Sequence, residues 1–357
     1  MVSARISGFG TAFPRRIDQD EVWAGYFAPR LGHSRVAERL FRAAGVEHRH
    51  AVADPLVDDV SDWSTERRML RYAAEAPALG KEAVSAALAD AGLAAEEVGL
   101  LAVVSCTGYA TPGLDIHLAA DLGMPADVQR LVIGHMGCYA ALPGLGAVAD
   151  HVVARGRPAV LLCLELTSLH AQPTTDDLAQ VITHALFADA AAAVVLRPGP
   201  DGAGPDDPGG AAGPGIGVRD LVARTAPATA DHMRWDITDR GFRMELSPRV
   251  PDVLGRHVGP AVDDLLARNG LTRADVGAWA VHPGGPRILD TVADVLGLPR
   301  DALAASRAVL RERGNCSSAT VLLILDELRR RGLPAGAPVV AMAFGPGLTL
   351  YAGLLDA

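Results

Sequence analysis

Hydrophobic and polar positions follow two patterns along the chain, one typical of helices and the other typical of strands. Residues 79–92 and 258–270 repeat apolar side chains every three or four positions, which predicts amphipathic helices. Residues 100–106, 158–166 and 337–344 are apolar runs of strand length. Because strands alternate with helices, the pattern predicts an α/β fold of βαβ units around a mainly parallel sheet.

The second half of the chain repeats the first at a fixed separation. GLAAEEVGLLAVVS at 92–105 aligns without gaps on GLTRADVGAWAVHP at 270–283, 178 residues later. Cys138 and Cys316 are also 178 residues apart, and each precedes an apolar, helix-like segment. We therefore expect two duplicated βαβ-containing halves with pseudo-twofold symmetry.

A segment rich in Pro and Gly separates the two repeats. Residues 198–217 contain too few large apolar side chains to form a core, so we expect a surface linker there. The predicted N-terminal half is 1–197 and the C-terminal half is 218–357. In such a duplicated fold, equivalent loops meet at the centre, so we expect the loops near residues 106, 138, 282 and 315 to converge.

Composition and charge exclude several classes of partner. The chain has 357 residues, of which 49% are hydrophobic, and its net charge of -9 argues against a broad surface for nucleic acid or anionic membrane. No apolar run approaches the roughly 20 residues of a membrane span, and the first residues lack the apolar centre of a signal peptide. We expect a cytoplasmic protein with neither nucleic acid nor membrane as partner.

The cysteines indicate neither a disulfide framework nor a metal site. Cys106, Cys138, Cys163 and Cys316 occupy separate apolar stretches and form no CxxC pair. Cys138 stands apart because it follows Gly137, whose backbone permits a sharp turn, and precedes a helix-like segment. We predict that Cys138 is a nucleophile whose thiolate is favoured by the helix dipole, and that Cys163 and Cys316 are packing residues.

Two further residues complete a candidate catalytic set. His282 ends an apolar strand and is followed by Pro-Gly-Gly-Pro, and Asn315 stands where the first repeat has Gly137. His282 can hold an imidazolium against the thiolate, although strand-end histidines and turn asparagines are often structural. A thiolate can carry an acyl group as a thioester, while imidazole and carboxamide donors stabilise an oxyanion or enolate. This chemistry requires no metal or redox cofactor.

At these residues the sequence resembles the type III polyketide synthases, the chalcone synthase-like branch of the thiolase superfamily. The motifs are GCYAALPGL around Cys138, AVHPGGPRILD around His282, RGNCSSATVLLILDEL around Asn315, and AFGPGLTL at 343–350. The resemblance implies a thiolase-like α/β fold in α-β-α-β-α layers and a homodimer.

The resemblance also implies a reaction. Cys138 is loaded with an acyl group from an acyl-CoA starter, and His282 and Asn315 promote decarboxylation of malonyl-CoA or a substituted malonyl-CoA. The resulting enolate condenses with the thioester, and the product cyclises, for example to an α-pyrone or a resorcinol. CoA thioesters are the substrates and no cofactor is implied.

The same resemblance assigns residues to the substrate pocket. Phe187 matches a gate phenylalanine, and Met244 stands where many members carry a second one. Thr111 replaces a methionine in the segment expected to reach the neighbouring subunit's cavity, and a small residue there should enlarge it. The other expected pocket residues are Cys106, Thr167, His170, Trp235 and Ser317, with Gly345, Pro346 and Gly347 as a structural loop.

A basic helix face is a candidate for CoA binding. Arg35, Arg39 and Arg42 lie at positions i, i+4 and i+7, where they can form one ridge for the CoA phosphates. A solvated helix face is the alternative interpretation. The family places its basic CoA-contacting residues in this region, which favours binding.

Three other functions remain as alternatives. A ketoacyl synthase that initiates fatty-acid synthesis shares Cys, His and Asn, but typically has His-Gln-Ala-Asn where this chain has His-Pro-Gly-Gly. A degradative thiolase requires a second catalytic cysteine near the C-terminal Gly-rich loop, and AFGPGLTL contains none. An inactive scaffold with a thiolase fold is disfavoured by the intact Cys138, His282 and Asn315.

Overall fold

A computed structural model describes residues 3–173, 177–199 and 215–357. The α-helices in these ranges are α1 Gln19–Val22, α2 Ala28–Arg30, α3 Arg35–Ala43, α4 Thr65–Ala91, α5 Leu114–Asp121, α6 Ala141–Arg155, α7 Leu178–Leu186, α8 Val250–Arg268, α9 Pro286–Leu296, α10 Ala304–Arg313 and α11 Ala319–Arg331. The strands are β1 Ala4–Ala12, β2 Arg16–Asp18, β3 His48–His50, β4 Leu100–Ser105, β5 Gln129–Gly134, β6 Ala159–Glu165, β7 Ala190–Pro198, β8 Ile216–Thr225, β9 Met233–Thr238, β10 Gly241–Leu246, β11 Ala278–Val281, β12 Pro338–Gly345 and β13 Thr349–Asp356.

The main sheet is built from two equivalent sets of strands that are arranged on either side of its centre. Its nine strands run in the order β11-β12-β13-β8-β1-β7-β6-β4-β5. At the centre, β1 pairs with β8 over three residues on each strand, Ala4–Ile6 with Ile216–Val218. On one side the order is β1-β7-β6-β4 and on the other it is β8-β13-β12-β11. A pseudo-twofold axis therefore passes between β1 and β8, which confirms the predicted duplication.

The repeat spacing of the sequence is also the repeat spacing of the structure. Single 3₁₀ turns at Ala95–Glu97 and Arg273–Asp275 precede β4 and β11, and they are 178 residues apart. Helices α6 and α11 begin at Ala141 and Ala319, again 178 residues apart. The elbows that precede these two helices are thus equivalent positions of the two halves.

The expectation of a mainly parallel sheet is wrong. Only β4 with β5, β4 with β6, and β11 with β12 are parallel, whereas the other five neighbouring pairs of the nine-stranded sheet are antiparallel. The reason is visible at β12 and β13, which a turn at residues 346–348 joins directly. A tight turn reverses the chain, so it cannot connect parallel strands.

Helices form layers on both sides of the sheet halves. The inner helices α6 and α11 contact strands of both halves, and Leu142, Leu145 and Ile324 on these helices are fully inaccessible. Helix α4 covers the outer face of the N-terminal half, and α8 covers that of the C-terminal half. These layers give the α-β-α-β-α arrangement, with the two elbows at its centre.

The N-terminal helices form a cap over one side of the molecule. Residues of α1, α3 and the π-helical turn Trp23–Phe27 pack with Val181 of α7 and Leu310 of α10 in a separate hydrophobic cluster. The short ribbon of β2 and β3 connects this cap to the core. The cap places α3 and its arginines beside α7.

Part of the predicted linker lies outside the described residues. Of the expected 198–217 segment, residues 200–214 are not described, and its flanks belong to β7, which ends at Pro198, and to β8, which begins at Ile216. The division into halves at these boundaries stays a prediction. Among the described residues, no helix combines the length and apolarity needed to cross a bilayer.

Candidate active site

Cys138 lies in a tight elbow between β5 and α6. It is the middle residue of the 3₁₀ turn Gly137–Tyr139, and its side chain is 5% exposed. Gly137 has φ of 77°, and a Cβ there would lie 2.7 Å from Cδ of Pro346. Gly345 is equally constrained, because its Cβ would lie 2.7 Å from the Tyr139 ring. The loop at residues 345–347 therefore packs directly on the elbow.

His282 follows the last residue of β11 and enters the same region. Its backbone N–H donates to the carbonyl of Met342 at 2.8 Å, and its side chain is 1% exposed. Neither ring nitrogen has a hydrogen-bond partner among the described residues. Burial lowers the pKa of His282 to about 3, so the ring is neutral near pH 7. A neutral imidazole offers one N–H donor and one nitrogen acceptor.

Asn315 belongs to the second elbow and is fixed by main-chain bonds to the N-terminal half. Its N–H donates to the carbonyl of Leu186 at 2.8 Å, and its carbonyl accepts from the N–H of Ala188 at 3.0 Å. The side-chain Oδ1 accepts from the N–H of Ser317 at 2.9 Å. Within the described part of the chain, this leaves the amide group Nδ2 as a donor that no protein acceptor occupies.

The three side chains line one cavity. Cys138, His282 and Asn315 all border a cleft of about 490 Å³ between α3, α7, β10, α8 and α9. Most of its wall is apolar, and representative residues are Ile182, Met233, Leu246, Leu254 and Phe344. A nucleophile and two residues with polar groups that no described protein group binds thus border a space that can hold an extended apolar substrate.

The expected thiolate–imidazolium pair is not the state that this environment favours. Burial raises the pKa of the Cys138 thiol to about 12, and it lowers that of His282. Both shifts favour the uncharged forms, because a buried charge loses its hydration. The predicted thiolate at the helix end stays a prediction.

The pocket residues surround a narrow extension behind Cys138. Phe187, Met244, Trp235, Thr167, Cys106 and Ser317 all border this space of about 20 Å³. Trp235 closes it, since its indole N–H donates to the carbonyl of Cys106 at 2.9 Å. Phe187 and Met244 border both this extension and the larger cleft. The two residues therefore lie where the two spaces meet.

His170 supports this wall without bordering either space. Its Nε2–H donates to the carbonyl of Thr107 at 2.6 Å, and its Nδ1 accepts from the N–H of Phe242 at 3.0 Å. The ring stacks on Phe242 with centroids 4.4 Å apart and meets Trp235 edge-on. Both nitrogens are committed, so His170 positions the Trp235 wall.

Thr111 is the predicted pocket residue that the chain does not bring to Cys138. It is exposed and borders a separate cavity of about 470 Å³ beside the edge strand β5. This location is compatible with the expected reach toward a neighbouring subunit, which stays a prediction.

Sequence reasoning missed Glu165, a buried carboxylate beside the Cys106 thiol. It accepts from the N–H of Cys106 at 3.0 Å and from the hydroxyls of Thr107 at 2.8 Å and Ser318 at 2.6 Å. Burial raises the pKa of Glu165. A lone acidic residue at the end of the apolar run AVLLCLE was the signal that could have indicated it.

The three arginines of α3 differ in whether their guanidinium groups form ion pairs. All three are exposed, but Arg42 forms ion pairs with Glu38 and Asp20, each at 3.0 Å, whereas Arg35 and Arg39 form none with described residues. Leu40, from the same helix, lines the cleft. None of the three arginines borders the cleft itself, and Arg35 and Arg39 are the members of the ridge without an ion pair to a described residue.

Comparison with known proteins assigns the chain to a family. The N-terminal domain model of the chalcone and stilbene synthases matches residues 3–200, and the C-terminal domain model matches residues 213–357. Among curated proteins, a 1,3,6,8-tetrahydroxynaphthalene synthase of Streptomyces peucetius subsp. caesius is 39% identical over 87% of this chain and 80% of its own length. The α-pyrone synthesis polyketide synthase-like Pks18 of Mycobacterium tuberculosis is 30% identical over 99% of this chain and 91% of its own length.

A solved structure agrees with these sequence matches. The 1,3,6,8-tetrahydroxynaphthalene synthase of Streptomyces coelicolor A3(2), described as a bacterial type III polyketide synthase, superimposes with a TM-score of 0.88 and 30% identity over 99% of both chains. The likeness extends over both halves and includes both elbows. The chain therefore belongs to the chalcone and stilbene synthase family, the type III polyketide synthases.

Proposed function

We propose that Cys138, His282 and Asn315 carry out decarboxylative condensation of CoA thioesters in this polyketide synthase. One observation carries the assignment of these residues. Cys138, His282 and Asn315 border one cavity, and no described protein group forms a hydrogen bond with the ring nitrogens of His282 or with Nδ2 of Asn315. Buried polar atoms without partners are costly unless a ligand completes them.

In the loading step, the thiol of Cys138 attacks the carbonyl carbon of an acyl-CoA. His282 accepts the thiol proton as the carbon–sulfur bond forms, and the imidazolium returns it to the departing CoA sulfur. The acyl group remains on Cys138 as a thioester, and His282 is neutral again.

In the extension step, malonyl-CoA loses CO₂ and the bonding electrons pass to its thioester carbonyl as an enolate. The N–H of neutral His282 and Nδ2 of Asn315 donate hydrogen bonds to that oxygen, and in a dry cavity these bonds are strong. The enolate carbon then attacks the thioester on Cys138, forms the new carbon–carbon bond and releases the Cys138 sulfur as a thiolate, while the extended chain stays on CoA. This thiolate attacks the extended acyl-CoA for the next cycle, with free CoA taking a proton from solvent, or it takes up a proton from solvent itself once the product leaves. No step needs a metal or a redox cofactor.

The apolar cleft suggests the type of starter. Its wall of aliphatic side chains and Met244 suits an aliphatic acyl chain, which gains about 0.8 kcal/mol for each buried CH₂ group. Cyclisation of the extended chain to an α-pyrone or a resorcinol is part of the proposal, and Pks18 is named for α-pyrone synthesis. The cytoplasm, as the source of CoA thioesters, is the proposed location.

We also propose a homodimer. Strand β5 is an edge of the sheet, and its Leu131 and Val132 are 37% and 56% exposed. Tyr109, in the adjacent loop that carries Thr111, is 67% exposed. An exposed edge with apolar side chains favours pairing with another chain, and a second copy would also cover the cavity beside Thr111.

The test is incubation of the purified protein with a panel of acyl-CoAs and malonyl-CoA, with products and the intact protein analysed by mass spectrometry. We expect an acyl adduct on Cys138 and cyclised products with several extensions. Cys138→Ala should abolish both, whereas the control Cys163→Ala, a buried cysteine in β6, should retain both.

Two other outcomes would point to the alternatives. A single condensation that requires an acyl carrier protein would indicate a ketoacyl synthase. No adduct and no product with any starter would indicate an inactive scaffold. Either result would contradict the proposal.

A further inference from the structure

Arg68, in the first turns of α4, is a completely buried arginine that binds only backbone carbonyls. Its guanidinium donates at 3.0 Å to the carbonyls of Trp63, Ser61 and Ala171, and it also donates to the carbonyl of Leu169. Burial lowers the pKa of Arg68 to about 10, which still leaves the group charged at neutral pH. A buried charge is stabilised only when hydrogen bonds replace its hydration, so these carbonyls are held in place.

Two of these carbonyls flank His170 in the chain. Leu169 and His170 belong to the 3₁₀ turn Thr167–His170, and Ala171 follows it. His170 in turn accepts from the N–H of Phe242 and meets the Trp235 ring edge-on. Arg68 therefore fixes the turn that holds the Trp235 wall, although Arg68 itself does not border the extension behind Cys138.

The same end of α4 also holds the hairpin of β9 and β10, in which Trp235 lies opposite Met244. The hydroxyl of Thr65 accepts from the N–H of Gly241 at 2.8 Å. A Cβ on Gly241 would lie 2.6 Å from Cδ of Arg68 and 3.0 Å from Nδ1 of His170. The hairpin thus packs on Arg68 and His170 without space for one more methyl group.

A second cavity lies next to this wall. It has a volume of about 70 Å³, and His170 and Phe242 border it but do not border the extension. The residues that line both spaces are Thr167, Phe187, Trp235 and Met244. These four side chains lie between the two spaces, so a displaced wall would give a chain in the extension access to additional volume.

We infer that Arg68 is a positioning residue that limits the number of extensions by holding the Trp235 wall through His170. The inference rests on the proposed function. A growing chain fills the extension behind Cys138 until the wall stops it, and cyclisation then competes with a further condensation. Loosening the turn at His170 lets the chain enter the second cavity and favours the further condensation.

The experiment compares the products of Arg68→Lys and of the unmodified protein with the same acyl-CoA and malonyl-CoA, by mass spectrometry. Lysine keeps the charge but cannot reach all four carbonyls with its single ammonium group. We expect the ratio of products with one further extension to the original products to increase about fivefold, equal to about 1 kcal/mol. A loss of folded protein alone lowers both products equally and leaves this ratio unchanged.

Gly241→Ala tests the same contact from the hairpin, and it applies also if Arg68→Lys does not fold. The added methyl group pushes on Arg68 and His170, so the ratio should increase as well. Gly332→Ala is the matched control, because Gly332 has the same φ of 89° and a Cβ there would meet no atom within 4 Å. Arg67→Lys changes the exposed neighbour of Arg68, and both controls should keep the original ratio.

Trp235→Ala shows whether Arg68 acts through the wall. This variant opens the wall directly, so Arg68→Lys should add no further change in its background. An additional, independent shift would overturn the inference, and so would an unchanged ratio or shorter products in both Arg68→Lys and Gly241→Ala. These outcomes leave the proposed function intact, whereas an unmodified protein without any product contradicts the proposed function itself.

Discussion

Asn315 and Phe187 are joined as an isolated pair of parallel backbone segments, one from each half of the chain. The bonds run from Asn315 N–H to the carbonyl of Leu186 and from Ala188 N–H to the carbonyl of Asn315, at 2.8 and 3.0 Å. The candidate enolate donor is therefore fixed to the residue where the cleft meets its narrow extension. Any substitution that separates these two backbone segments should displace both Asn315 and Phe187.

Gly314→Ala should separate them. Gly314 has φ of 72°, and an added Cβ would lie 2.9 Å from Cβ of Ala188 and 3.0 Å from the carbonyl oxygen of Leu186. We expect condensation to fall at least tenfold while acyl loading on Cys138 persists, because Asn315 moves and Cys138 does not. Strain of this kind costs about 1–3 kcal/mol, which thermal unfolding would detect.

A second glycine with positive φ serves as a control that distinguishes the effect of backbone strain from the effect of displacing Asn315. Gly297 has φ of 68°, but a Cβ there would meet no atom within 4 Å. Gly297→Ala should lower thermal stability and leave condensation unchanged. Equal losses of condensation in both variants would contradict the role given to the Asn315 segment.

Alkylation of Cys138 by iodoacetamide should depend on access and on pH. Cys138 borders the cleft, whereas Cys163 and Cys316 are fully inaccessible, so Cys138 should be labelled first. Because burial raises the pKa of Cys138 to about 12, the thiolate fraction increases as pH rises, and the rate should climb without a plateau from pH 7 to pH 10. Peptide mass spectrometry after timed quenching gives the rates.

A different pH dependence would support a thiolate–imidazolium ion pair between Cys138 and His282. A rate for Cys138 that is already constant between pH 6 and 9 would mean a stable thiolate beside an imidazolium. Equal labelling of Cys138, Cys163 and Cys316 would argue against any activated or accessible thiol at the elbow.

Starter preference should follow the shape of the cleft at Met244. This side chain is buried and borders both the cleft and the extension behind Cys138. Medium or branched acyl-CoA starters should outperform 4-coumaroyl-CoA in a competition assay read by product mass. Met244→Phe should narrow the passage and reduce use of branched starters several-fold, and Met244→Leu, close in volume, should not. A preference for 4-coumaroyl-CoA would refute this prediction.

Acid should destabilise the fold partly through His170. Burial lowers the pKa of His170 from 6.5 to about 4, so below pH 6.5 the unfolded chain binds a proton that the folded chain resists. The contribution of His170 to the free energy of unfolding is therefore fully present above pH 6.5 and is lost as pH falls toward 4. At pH 5 the loss from this group is about 2 kcal/mol.

Urea unfolding of His170→Gln at pH 7.5 and pH 5 tests this linkage. The variant should be less stable at pH 7.5, because two buried hydrogen bonds change, but it should lose less stability between the two pH values. The control His117→Gln removes an exposed histidine and should keep the acid dependence of the unmodified protein. An acid loss in His170→Gln equal to that of the unmodified protein would exclude His170 as its source.

The sequence by itself determined the duplication and the chemical groups. A repeat of 178 residues and two elbows were sufficient to predict two α/β halves, and they identified Cys138, His282 and Asn315 as residues whose loops should meet. Such patterns are readable because apolar periodicity reports burial, and Gly before Cys138 reports a turn that other residues resist.

Only the tertiary structure decided strand direction, protonation and access. Periodicity carries no information on direction, so the antiparallel return of β13 against β12 was missed. The raised pKa of Cys138 and the lowered pKa of His282 arise from burial by distant segments, which local sequence does not report. Access to Cys138 is also decided by the fold, because Cys138 borders the cleft whereas Cys163 and Cys316 are fully inaccessible.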